Sequence, residues 1–195
     1  NPPYMNRFAG RLKSFVRKNY YDYRRDLFSV YIFRNFLFCQ PGGYSALMTP
    51  YVWMFIKSYE KLRRFIVRDK AITTLVQLEY SAFDAATVPV CAFVLKNAPA
   101  ESKGLYIKLT EFTGGLRVQE AKLRQALAAE ECAYFFESQA KNFCKLPSTP
   151  IAYWAGEEVF DIFEQGRPMK SLVEARQGLA SGDNRRFLRL WFEVE

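Results

Sequence analysis

The chain opens Asn1-Pro2-Pro3-Tyr4, and these four residue types at this spacing suit one defined chemistry. That chemistry is methylation of a planar amino or amide nitrogen. Such a nitrogen is a poor nucleophile, because its lone pair is delocalised into a ring or a carbonyl. The side-chain oxygen of Asn1 and a backbone carbonyl of the proline step can accept its two hydrogens. That draws the nitrogen toward tetrahedral geometry and frees the lone pair. Proline fits because it has no N–H and a fixed φ, so the carbonyl is held still. The ring of Tyr4 can stack on the flat face of the substrate, a contact worth about 1–3 kcal/mol per base. Pro2 and Pro3 thus shape the loop, while Asn1 and Tyr4 present the working groups. A Pro-rich loop of no function has the same composition.

What the chain lacks agrees with this chemistry. Histidine is absent from all 195 residues, which removes Ser-His-Asp and Cys-His catalysis, imidazole acid–base work and His-containing zinc sites. Cys39, Cys91, Cys132 and Cys144 form no CxxC pair, so no metal set is expected. Free thiols of a reducing cytoplasm are the expectation instead. No apolar run reaches the roughly 18–20 residues of a membrane helix. The opening residues read as the middle of a motif-bearing loop, so an excerpt of a longer protein is expected.

The elements that must position the motif follow in order. Met5–Arg25 is dense in Arg, Lys and Tyr without amphipathic spacing, and reads as a mobile loop with a helical turn or two. Asp26–Gln40 is a largely buried helix with Asp26 at its N-terminus. Pro41-Gly42-Gly43 ends it. Strands are expected over 44–49, 72–78 and 88–95, with a turn over 51–55 and a helix over 58–67. That helix buries Leu62, Phe65 and Ile66 and exposes Lys61, Arg63, Arg64 and Arg68. The loop 79–87 is too short for a crossover helix, so the strands either side of it should pair antiparallel. Further on, strands are expected over 105–109, 132–137, 172–176 and 187–194, and helices over 116–129 and 159–163. The fold class is α/β: the C-terminal half of a Rossmann-like sheet over 1–97, followed by an α+β connecting segment over 98–195.

The order of these features resembles the amino-methyltransferases of DNA. Asn1–Tyr4 match the catalytic motif, Asp26-Leu27-Phe28 with Gly42-Gly43-Tyr44 to Pro50 and Trp53 match the helix and strand after it, and Ser81-Ala82-Phe83 with Val88–Leu95 match a late loop and strand. Pro150-Ile151-Ala152-Tyr153-Trp154, Arg176-Gln177-Gly178-Leu179 and Gly182-Asp183-Asn184-Arg185-Arg186-Phe187-Leu188-Arg189 with Trp191 bring the resemblance closer, to the PglX-type adenine methyltransferases of BREX phage-defence systems. The resemblance covers nearly the whole chain. It implies a class I methyltransferase sheet, S-adenosylmethionine as cofactor, transfer to the exocyclic amino group of adenine and double-stranded DNA as partner, with other phage-defence proteins as further partners. It implies that Phe83 stacks on the flipped adenine beside Tyr4, that Asn1 and Tyr31 border the cofactor, and that the C-terminal stretch begins a target-recognition region. The Gly-rich cofactor segment of that family lies upstream of the motif and is not found here. The 195 residues alone are therefore expected not to methylate anything.

Charge adds a second expectation. Net charge is +10 over residues 1–70, −2 over 71–170 and zero over 171–195. In a DNA enzyme these cations would neutralise phosphates, and Arg7, Arg11, Lys13, Arg17 and Lys18 are assigned that contact. Asn184, Arg185 and Arg186 form a second candidate. Two other readings stay open: a methyltransferase for a protein glutamine or a ribosomal RNA guanine, which share the tetrapeptide, and a non-catalytic DNA-binding module.

Overall fold

Seven-residue apolar runs at Tyr44–Pro50 (β1), Ala71–Gln77 (β2) and Val90–Lys96 (β3) form three adjacent strands of a five-stranded sheet, with β1 at its edge. Gly104–Lys108 (β4) and Phe135–Ser138 (β5) complete it. The computed structural model describes residues 1–80, 82–83, 88–128, 132–176, 178 and 182–194. Strand order is β1-β3-β2-β4-β5. β3 is antiparallel to both β1 and β2, as the short 79–87 connection requires, and β2 runs parallel to β4. β5 closes the far edge antiparallel to β4. Gly104 marks a place where the chain must approach closely: a Cβ there would lie 2.3 Å from the Ile72 carbonyl oxygen, so only glycine lets β4 start beside β2.

The helices cover the sheet by their apolar faces. Leu27–Asn35 (α2) and Glu60–Asp69 (α3) pack Phe28, Ile32, Leu62 and Ile66 against Ile72, Leu75, Phe93 and Leu95. The same core takes in Trp53, Met54, Phe143, Ile151 and Tyr153. Gly115–Ala128 (α4) packs Leu123 and Ala126 against Ile107 and Leu109. Asp26 caps α2 as expected, accepting from Phe28 N at 3.2 Å. The helix stops at Asn35, five residues earlier than the apolar run suggests.

Two expectations are corrected. Residues 10–19 form a full helix (α1, Gly10–Asn19): Val16 and Tyr20, one turn apart, bury against Val30 with Phe8, Tyr23 and Leu27 around them. One sheet runs across residues 97 and 98, and by contacts the chain forms compact units of residues 1–164 and 165–195. The first unit also holds Ala140–Phe143 (α5) and most of Glu157–Gln165 (α6). In the second unit no described strand forms over 172–176 or 187–194. It has instead short turns and a four-residue helix, Asn184–Phe187 (α7). Its β-favouring residues have no partner strand and no face to bury on. Phe187, Leu190, Trp191 and Phe192 are all exposed, and a strand without partners is not stable.

Candidate active site and its basic flank

The Asn1–Tyr4 loop lies against the end of β1. Pro2 is buried, while Asn1, Pro3 and Tyr4 are exposed. The Tyr4 hydroxyl donates to Asn1 Oδ1 at 2.7 Å and stands 3.2 Å from the Met48 carbonyl oxygen. A hydroxyl has one proton, so the shorter contact defines the donor–acceptor pair and fixes the Asn1 amide. Burial, and after it the Cys91 thiol, raises the Tyr4 hydroxyl above its ordinary value, so it remains a donor. The ring meets Phe28 at right angles, 6.2 Å between centroids, and is partly exposed.

The loop is pinned from behind. Met5 N donates to Asp26 Oδ1 at 2.9 Å, and Leu27 N donates to the Met5 carbonyl at 2.8 Å. Asp26 therefore does two jobs, capping α2 and clamping the motif; sequence reasoning assigned it only the first. Behind the loop, Cys91 is fully buried and pairs in register with Thr49. Burial pushes its thiol up to about 12, so no thiolate nucleophile stands at this site.

Phe83 is half-buried and makes no aromatic contact among the described residues. Its neighbours Ser81 and 84–87 lie outside those residues. The loop that carries it leaves β2 and enters β3 at the sheet end where Pro50 pairs with Val90, the end Tyr4 also touches. Among the described residues no contact forms between the Phe83 and Tyr4 rings. Tyr31 is exposed on α2 and shares no hydrogen bond or ring contact with Asn1–Tyr4. Asn184, Arg185 and Arg186 are exposed on α7 in the second unit, with Asp183 accepting from the Arg185 and Arg186 amides.

The five assigned cations divide. Arg7, Lys13 and Arg17 line a cavity of about 460 Å³; Arg11 and Lys18 do not. Helix geometry explains the split. Lys13 and Arg17 are one turn apart on one face, while Arg11 and Lys18 share another. Two arginines outside the assigned set, Arg24 and Arg25, complete the cavity. They reach it because the Met5–Asp26 clamp lays residues 25–27 beside residues 5–7.

The glycine pairs do not make a nucleoside cradle. Gly42 and Gly114 have positive φ in turn and bend, Gly115 has positive φ at the start of α4, and a Cβ at Gly43 would meet Cys39 Sγ and the Gln40 carbonyl at 3.0 Å. The described residues therefore do not fit S-adenosylmethionine as a whole. Among them no group of three or more His, Cys, Asp or Glu is arranged to hold a metal ion. No described helix is long and apolar enough to cross a membrane.

The mixed sheet against which Asn1–Tyr4 lie has the fold of the methyltransferase subunits of restriction-modification systems. The subunit of a type I system from Streptococcus thermophilus superposes with a TM-score of 0.53 at 14% identity, over 74% of this chain and 34% of that one. A family model, the Eco57I restriction-modification methylase, matches residues 1–83. Within that class the chain resembles the PglX-type adenine-specific methyltransferases over its whole length. It is 30% identical over 202 residues to adenine-specific methyltransferase PglX of Lacticaseibacillus casei (strain Zhang). It is 31% identical over 201 residues to adenine-specific methyltransferase BrxX of Escherichia coli O9:H4 (strain HS). The chain spans 17% and 16% of the lengths of those two relatives.

Proposed function

We propose that these residues form the substrate-facing part of an adenine-specific DNA methyltransferase that marks host DNA in phage defence. The observation that carries the reading is the clamped Asn1–Tyr4 loop, with its amide oxygen bonded by the Tyr4 hydroxyl and the tyrosine ring exposed. Residues 1–97 supply the back half of the catalytic domain, and 98–195 connect it to target recognition. S-adenosylmethionine is the methyl donor this reading requires, held largely by residues of the longer protein. The adenine leaves the duplex at a cost of a few kcal/mol, which stacking on Tyr4 offsets. Asn1 Oδ1 and the Pro2 carbonyl then accept the two amino hydrogens and hold the nitrogen lone pair in line for attack. Phe83 closes the other side of the base. Double-stranded DNA is the partner, together with other defence proteins, in the cytoplasm.

The test is a labelled-methyl assay on unmethylated host DNA with the full-length protein. N6-methyladenine is the expected product, and the 195 residues alone are expected to give none. Label in a protein glutamine or in ribosomal RNA, with none in DNA, overturns the reading.

The Asp26 clamp gives a second test. Asp26→Ala removes a helix cap, at about 1 kcal/mol, and releases the motif loop. A catalytic group misplaced by about 1 Å costs up to about 100-fold in rate, so single-turnover transfer should fall about 10- to 100-fold. Asp26→Asn keeps the acceptor oxygen and should stay near the wild-type rate. A wild-type rate for Asp26→Ala would show that the loop needs no clamp.

A further inference from the structure

The cavity beside the motif collects more positive charge than the fold needs. Arg7, Lys13, Arg17, Arg24 and Arg25 converge on about 460 Å³. Among the described residues none of the five has an ion-pair partner. The one acid in the lining, Asp22, is already paired with Lys61 at 2.5 Å. At physiological salt, charges within about 8 Å still repel one another, so an arrangement of this kind is stabilised by an anion between them. The cup is also built. The Arg24 guanidinium lies over the Tyr21 ring at 3.5 Å and donates to the Tyr21 carbonyl, which fixes its planar fork for two-point recognition of an oxyanion. A neighbouring cavity of about 540 Å³ shares Tyr21, Asp22, Arg24 and Ser58 and adds Lys57, Lys61 and the Glu60–Arg64 ion pair. Their four shared lining residues join the two into one trough that runs from residues 6–8 to α3.

We propose that this trough binds the phosphodiester backbone of the DNA strand whose base occupies Asn1–Tyr4. The proposal rests on the DNA-methyltransferase reading and deepens it. An extruded base stays covalently joined to its phosphates, so a clamp for them must lie close to the base pocket. Arg7 follows Tyr4 by three residues, at most about 11 Å of extended chain, and the Met5–Asp26 bond holds Arg25 against the same stretch. Pulling the backbone into the trough opposes return of the base to the stack. Arg24 and Arg25 belong to this contact. Arg11 and Lys18, on the other face of α1, do not.

The experiment uses the full-length protein and a labelled 40-base-pair duplex of unmethylated host DNA, and measures binding against salt concentration. Each phosphate contact contributes about one unit to the slope of log affinity on log salt. The triple variant Arg17→Gln/Arg24→Gln/Arg25→Gln should lower that slope by about three units and weaken binding at least tenfold at about 0.1 M salt. The control Arg11→Gln/Lys18→Gln should leave both near wild type. The charge-keeping variant Arg17→Lys/Arg24→Lys/Arg25→Lys should restore most of the slope, which separates charge from folding. An unchanged slope in the triple variant, an equal loss in the control, or no recovery with lysine overturns the proposal. So does tight binding of free inorganic phosphate or ATP that the triple variant loses while its DNA slope stays put. Wild-type methylation of the same duplex is scored alongside: its absence counts against the enzyme reading, whereas its presence with an unchanged slope counts against the trough alone.

Discussion

Asn1→Ala in the full-length protein is expected to lower the methyl-transfer rate by about 100- to 1000-fold, the usual cost of removing one preorganised polar group from a reacting centre. DNA affinity should change less than about twofold, because backbone contacts dominate affinity. The expectation follows from which group does what in the loop. The Asn1 amide oxygen is the fixed acceptor, and its orientation is set by the Tyr4 hydroxyl at 2.7 Å. A carbonyl-type oxygen has two lone pairs, so it can keep the tyrosine proton and still receive an amino hydrogen. Alanine removes that acceptor outright. Tyr4→Phe removes only the positioning bond and keeps the stacking ring, so its loss should be a few-fold. Tyr4→Ala removes both, and should cost a further factor matching about 1–3 kcal/mol of stacking. Single-turnover rates with labelled S-adenosylmethionine, and anisotropy with labelled duplex, separate the two quantities. An Asn1→Ala rate within threefold of wild type would falsify the role given to the amide.

How much of this was legible in the sequence depends on whether a signal is local. β1, β2 and β3 were legible because their apolar runs are bounded by Pro, Gly and charged residues, and the antiparallel pairing followed from one loop length. The cap at Asp26 was legible for the same reason. Its second partner, Met5 N, was not: nothing in the spacing of Met5 and Asp26 announces a bond across 21 residues. The same bond draws Arg24 and Arg25 into the basic trough, so the trough's membership was also out of reach. The net charge of the first 70 residues located the basic face, but only helix α1 could divide Lys13 and Arg17 from Arg11 and Lys18. Beyond residue 165 the failure runs the other way. Leu, Val, Phe and Trp at 172–176 and 187–194 have strand propensity, yet propensity is realised only against a partner strand and a buried face.

Arg63 shows what a local rule misses most, and it carries the largest stability effect expected in the chain. By periodicity it belongs to the exposed face of α3 with Arg64 and Arg68. In the fold it is fully buried. Its guanidinium donates to four main-chain carbonyls: Nη1 to Trp53 and Ile56, both at 2.7 Å, Nε to Thr149 at 2.9 Å, and Nη2 to Ser148 at 2.7 Å. The latter two partners lie more than 80 residues downstream, so no pattern around position 63 could reveal them. Ser148 and Thr149 hold positive φ, +64° and +52°, a conformation that costs a non-glycine residue about 1–3 kcal/mol. Arg63 is what holds that turn, and with it the Ile151 N to Met54 carbonyl bond at 2.9 Å. Burial pulls its pKa down to about 10, so it stays charged at neutral pH in folded and unfolded chains alike. Arg63→Met keeps the volume but takes a donor from four carbonyls, of which, among the described residues, only that of Ile56 has a second donor, Tyr59 N at 3.0 Å. Against this, it relieves the desolvation of one cation, and a net loss of about 3–5 kcal/mol is expected. Because both states keep the proton below about pH 9, that loss should be flat from pH 6 to 8. Arg63→Lys retains the charge but cannot span both sets of carbonyls, and should fall between. Hydrogen exchange on the full-length protein reads this directly. Amides of Thr149 and Ile151 should lose protection by about 100-fold or more in Arg63→Met, since each 1.4 kcal/mol is about tenfold. Protection at wild-type level would mean that the Ser148–Thr149 turn is held by its packing and not by the arginine.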